Sequence, residues 1–141
     1  MEYRRFGNTI VVRMDHDDDI QENVKLISEK EDIKLGHVNA LGNCKYCTLN
    51  SYDQNVKQFF PNTFEGHYEI AHLHGTINTQ NGSHYSHLHI VIGDMEGNAY
   101  GGHLSKAIVG TTLEMFINVV DGVVDRVNSG EPGGNVLNFE D

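Results

Sequence analysis

The sequence predicts an α+β fold, with many strands and one helix, on three observations. Most apolar residues fall in short runs that alternate with polar ones, the period of a half-buried strand. Turn residues separate those runs, and the chain carries 15 glycines but only 2 prolines. A single segment, near residues 20–30, has the spacing of a helix that buries one face. With 141 residues, 38% of them hydrophobic, the chain can bury a real core as one domain.

Taken in order, the run at 9–14 suits a first strand. Asp15-His16-Asp17-Asp18-Asp19 follows, and its carboxylates suit the positive end of a helix that begins near Ile20. Ile20, Val24 and Ile27 share one stripe through to about Lys30, so this helix packs on the sheet. The acidic cluster lacks the spaced ligands and distal Glu of a calcium loop and reads as capping. Gly42-Asn43 separates strands at 36–41 and 44–52, and a strand at 57–60 ends at Pro61-Asn62. Residues 67–77 alternate up to a turn at Asn81-Gly82, and a hairpin spans about 85–104. A further strand at 111–120 leads through Asp121-Gly122 into 123–127. The tail from Ser129, with Gly130, Pro132, Gly133 and Gly134, reads as irregular.

Several function classes recede on composition alone. The formal charge is −10, and the 10 basic residues are scattered without forming a stripe. Nucleic-acid binding needs clustered Lys and Arg against phosphates, so it is not expected. No apolar run reaches membrane-spanning length, and Met1-Glu2-Tyr3-Arg4-Arg5-Phe6 is not the apolar core of a signal peptide, so a cytoplasmic location is expected. Cys44 and Cys47 form a C-x-x-C within a strand-like run, where odd spacing puts the thiols on opposite faces. Buried, reduced thiols without a role are the expectation.

The chemistry concentrates in the hairpin. Ser86-His87-Leu88-His89 places two imidazoles on one strand face, and Asp94-Met95-Glu96-Gly97 supplies the turn. If Ile92 pairs with Asn98, His103 of Gly101-Gly102-His103-Leu104 falls directly across from His87. His87, His89 and His103 then converge as metal ligands. Three neutral imidazoles suit Zn2+, with a fourth position open to water or a ligand, while nickel, cobalt or iron fit the same donors. Glu69 and Glu114 sit inside apolar strands and are the candidate carboxylates to orient the ligand rings or to act in catalysis. Their alternatives are exposure at a sheet edge or pairing with an arginine. His72 and His74 repeat the i, i+2 spacing; they either line the same pocket or, the preferred reading, face solvent. His84, His37, His67 and His16 show no partner in the sequence.

Three segments in a specific order resemble the PPC (plant and prokaryote conserved) domain family over about 5–127. They are Gly66-His67-Tyr68-Glu69-Ile70, Gly75-Thr76-Ile77 leading through Asn81-Gly82 into His87-Leu88-His89, and Gly97 followed by Gly101-Gly102-His103-Leu104. The resemblance implies one domain over 1–141, its core at about 5–127 and an irregular tail at 128–141. It also implies a mainly antiparallel sheet of about seven strands with one main helix, assembled as a homotrimer. His67 stands where plant members carry Arg, and the family has small polar residues at the positions of His72 and His74, so these inherit no role. Plant relatives bind DNA through a separate R-G-R-P hook, which this sequence lacks. The histidine pattern is similar, at the level of fold and ligands, to that of acetolactate decarboxylase, a zinc lyase. The expected function is thus a small metal-binding protein with a small-molecule ligand. A zinc lyase or hydrolase acting on a small carbonyl compound is the enzyme alternative, and the DNA-binding label of the family is the other.

Overall fold

In the computed structural model, which describes residues 1–131 and 134–140, the alternating runs form eight strands and the helical stripe forms one helix. The order is β1 (Glu2–Phe6), β2 (Thr9–Asp15), α1 (Ile20–Lys30), β3 (Gly36–Asp53), β4 (Gln58–Gln80), β5 (Ser83–Gly93), β6 (Ala99–Val119), β7 (Arg126–Asn128) and β8 (Asn135–Leu137). All pairings between these strands are antiparallel. Six strands form one sheet in the order β1-β2-β6-β3-β4-β5, and β5 also pairs with β6. That extra pairing closes β3, β4, β5 and β6 into a ring. Its inner face holds the core, with Val38, Leu73, Ile90 and Leu113 among its buried members.

The helix forms where the charges and stripe require it. Asp19 is its N-cap, accepting from the Glu22 backbone N–H at 3.2 Å. Ile20, Val24 and Ile27 are fully buried against the strands. The end is a Schellman closure, with Asp32 at φ 53°, the Ile33 N–H donating to Ser28 O (2.8 Å) and the Asp32 N–H to Glu29 O (3.4 Å). Gln21 ties the helix to a bulge in β6. Its Nε2 donates to Ser105 O (2.6 Å) and its Oε1 accepts from the Ala107 N–H (3.1 Å). The bulge changes the inward phase of β6 from Leu104 to Ala107, and Gln21 satisfies backbone groups that the bulge unpairs.

Several expected boundaries are corrected. β1 was not foreseen. The runs at 36–41 and 44–52 are one strand, because Gly42 is a bulge and not a turn. A Cβ at Gly42 would lie 2.4 Å from Thr112 O, so glycine permits the close approach of β6 there. The runs at 57–60 and 67–77 are likewise one strand, and Pro61 is accommodated because β4 pairs with β5 only from Glu69 onward, which makes β4 an edge strand at Pro61. The strand expected at 111–120 is the second half of β6. The tail expected to be irregular contains β8, which pairs with β7 at Arg126↔Leu137; Pro132 and Gly133 of that tail lie outside the described residues.

The cysteine expectation also changes. A second bulge, between Cys44 and Tyr46, shifts the phase of β3, so both thiols face the core and both are free. The hydrogen bond with Cys44, together with burial, pushes the Cys47 thiol up and keeps it protonated.

Gly75 offers a direct test of the strand packing beneath the candidate site. A Cβ there would sit 2.0 Å from His87 O and 2.8 Å from Leu88 Cα, both backbone atoms of β5. Gly75→Ala is expected to destabilise the protein by about 3 kcal/mol in urea unfolding. Unchanged stability would contradict this β4–β5 spacing.

Candidate metal centre

β5 alternates strictly. Leu88, Ile90 and Ile92 point into the core, so His87 and His89 project together from the outer face. His103 reaches the same face from β6, directly across from His89. The expected register was one step short: Ile92 pairs with Tyr100, not Asn98, and His103 faces His89 rather than His87. Asp94 sets the actual loop. Its carboxylate accepts from the backbone N–H of Glu96 (3.0 Å) and Asn98 (2.8 Å) and from Asn98 Nδ2 (2.9 Å), which leaves Gly93 paired with Ala99. The partner moves by two residues, and a two-residue step preserves the face.

The convergence therefore holds. Ring centroids are 5.1 Å apart for His87–His89, 5.2 Å for His87–His103 and 5.7 Å for His89–His103. One nitrogen from each ring lies within 4.8 Å of the others. His87 Nε2 and His89 Nε2 are 3.2 Å apart. Two nitrogens bound tetrahedrally to one zinc at its usual bond length are separated by about 3.3 Å, so this pair already has ligand spacing. Gly102 makes room at the corner, where a Cβ would press on Asn50 O at 3.3 Å. At that corner His103 pairs with both His89 and Asn50, because β6 changes partner from β5 to β3.

Beside the triad lies a cavity of about 540 Å³, walled by Tyr52, Phe59, Tyr85 and Asn135 as well as the histidines. Among the described residues no carboxylate lines it. Of the two readings open to Glu69 and Glu114, the structure shows the exposed one for both. Glu69 Oε1 lies 2.9 Å from His67 Nε2, and Glu114 faces Arg13 across the β2–β6 ladder. Their strand neighbours are apolar because those neighbours point the other way. His72 and His74 are exposed on β4, with His74 across from His89.

Sequence reasoning missed the clamp behind the cavity. Arg126 is buried, and its Nη1 donates to Asn135 O at 2.6 Å. Its Nη2 donates to Thr76 Oγ1 (3.0 Å) and Asn78 Oδ1 (3.2 Å), and the guanidinium lies 4.9 Å from the Tyr85 ring centroid. This fastens β8 against the cavity wall. The clue was one arginine within the run at 123–127, whose side-chain partners Thr76 and Asn78 lie some fifty residues earlier.

The electrostatics favour neutral, metal-competent rings at His87 and His103. Burial first, then the neighbouring His103, His89 and Arg126, push His87 down to about 4. Burial, then His89, lowers His103. An unfolded chain has His87 near its ordinary 6.5 and so binds more protons than the folded, metal-free protein between that value and about 4. Stability is therefore full above the ordinary value and falls as the pH drops through this window. Urea midpoints of metal-free protein are expected to fall across it, and less steeply in His87→Asn. Parallel slopes for the two proteins would contradict the assignment.

The comparisons with known proteins agree with this architecture. Residues 1–121 match the Plants and Prokaryotes Conserved (PCC) domain. A candidate DNA-binding protein from Bacteroides thetaiotaomicron superposes with a TM-score of 0.95 at 27% identity, covering 99% of this chain and 98% of that one. A metal-containing protein from Archaeoglobus fulgidus gives 0.86 at 25% identity over 97% and 96%. Acetolactate decarboxylase from Bacillus subtilis shares the fold at 0.51 and 19% identity, over 82% of this chain and 54% of that one. No curated protein sequence matches. With most of its length matched, and a solved fold to accompany the match, this chain belongs to the Plants and Prokaryotes Conserved domain family.

Proposed function

We propose that this protein is a metal-binding member of its family in which His87, His89 and His103 hold one Zn2+ per chain. The observation that carries the reading is three imidazole nitrogens within 4.8 Å of one another, beside a cavity free of carboxylates among the described residues. An all-nitrogen, neutral donor set suits zinc, and three ligands leave a position facing the cavity for water or a small molecule. The Archaeoglobus relative, described as metal-containing, supports the same reading. Assembly as a homotrimer in the cytoplasm completes the proposal. Tyr52, Phe59 and Phe60 on the projecting β3–β4 arm are exposed aromatic surface that a neighbouring subunit would cover.

An enzymatic version, a zinc-dependent lyase or hydrolase acting on a small carbonyl compound, draws on the cavity beside the open position. Glu69 and Glu114, the candidate carboxylates for its acid or base, are both exposed and do not line that cavity. The DNA-binding description of the Bacteroides relative has little support in a chain of charge −10 without a basic stripe.

Elemental analysis of protein purified without a polyhistidine tag is expected to give about one zinc per chain, and His89→Ala to lose it while remaining folded. Protein that holds no transition metal even after reconstitution would overturn the proposal. In a mobility-shift assay at low salt, no complex with duplex DNA is expected. A complex that weakens steeply as salt rises would instead favour the DNA-binding reading.

A further inference from the structure

The histidines do not stop at the triad. His74 on β4 is paired with His89, and their ring centroids are 6.3 Å apart. His72, two residues earlier on the same outward face, stacks on His74 with centroids 4.7 Å apart and planes inclined by 23°. Both side chains are exposed. On β3, Asn39 is the partner of His74, so His37 is its diagonal neighbour on that face. A row of imidazoles thus crosses four adjacent strands, from His37 through His74 and His89 to His103.

We propose that His72 and His74 form a second, solvent-exposed site for a divalent transition metal, and that this site loads the triad through His89. Two imidazoles at i and i+2 of a strand can donate to one ion, with water filling the remaining positions, and imidazole suits zinc, nickel and copper. The site has two protein ligands where the triad has three, and it is exposed where His87 and His103 are half-buried. It is therefore the weaker and faster-exchanging of the two. The strongly negative chain draws cations toward its surface. Transfer is ligand exchange without redox change: the ion gains the His89 nitrogen as it releases His72 or a water, and no electron moves. The second site stands on the placement of His72 and His74, whereas its loading role rests on the triad reading above.

The test uses full-length, tag-free, metal-stripped protein titrated with Zn2+ in a calorimeter. Two classes of site are expected per chain. The His72→Ala/His74→Ala double variant, altered only at exposed positions, is expected to bind one equivalent with the tighter affinity unchanged. His103→Ala is expected to lose the tighter class and keep the weaker one. In stopped-flow mixing with Zn2+, the double variant is expected to fill the triad severalfold more slowly than the parent protein. A single class in the parent that the double variant retains, or both classes surviving in the double variant, overturns the second site. Equal filling rates overturn the loading role alone. A parent protein whose one class disappears in the double variant contradicts the triad reading and leaves the second site standing.

Discussion

The antiparallel pairing of β5 with β6 governs the rest of the candidate centre. It closes the ring of four strands around the core and sets the outer faces of those two strands side by side. Two of the three imidazoles are consecutive outward residues of one strand, and the third stands across from them. His103 is also where β6 leaves β5 for β3, so the sheet turns a corner beside the ligands. The cavity forms at that corner, walled by the β3–β4 arm on one side and by β8 on the other.

Burial couples the core to the chemistry. Leu88 and Ile90 are locked inside, and that fixes the direction in which His87 and His89 project. Gly75 brings β4 so close to β5 that the backbone of His87 is held by main-chain packing rather than by its own side chain. Arg126, joined to Thr76 across from His87, extends the same support outward to β8. The ring nitrogens are thereby positioned before any ion arrives, which lowers the ordering cost of binding.

The candidate triad was legible in the sequence because strand periodicity is two, and an error of one hairpin pair changes the partner but not the face. The helix was legible for a similar reason: Ile20, Val24 and Ile27 recur at the helical period behind an acidic cap. Parity also explains the misses. Bulges at Gly42 and between Cys44 and Tyr46 insert a step that alternation alone does not reveal, so one strand read as two and a thiol pair read as opposed. Apolar neighbours left Glu69 and Glu114 open between burial and exposure, and both occupy the outward positions of their strands. β7, β8 and the Arg126 clamp depend on contacts between distant segments, for which no local pattern exists.

The central claim is that three imidazoles, and no other protein group, bind one zinc at this corner. X-ray absorption at the zinc edge of the loaded double variant lacking His72 and His74 tests it most directly, since only the triad remains to be seen. Three imidazole nitrogens at about 2.0–2.1 Å and one further light-atom ligand in a tetrahedral shell are expected. Sulfur in the first shell, or fewer than three imidazoles, would contradict it.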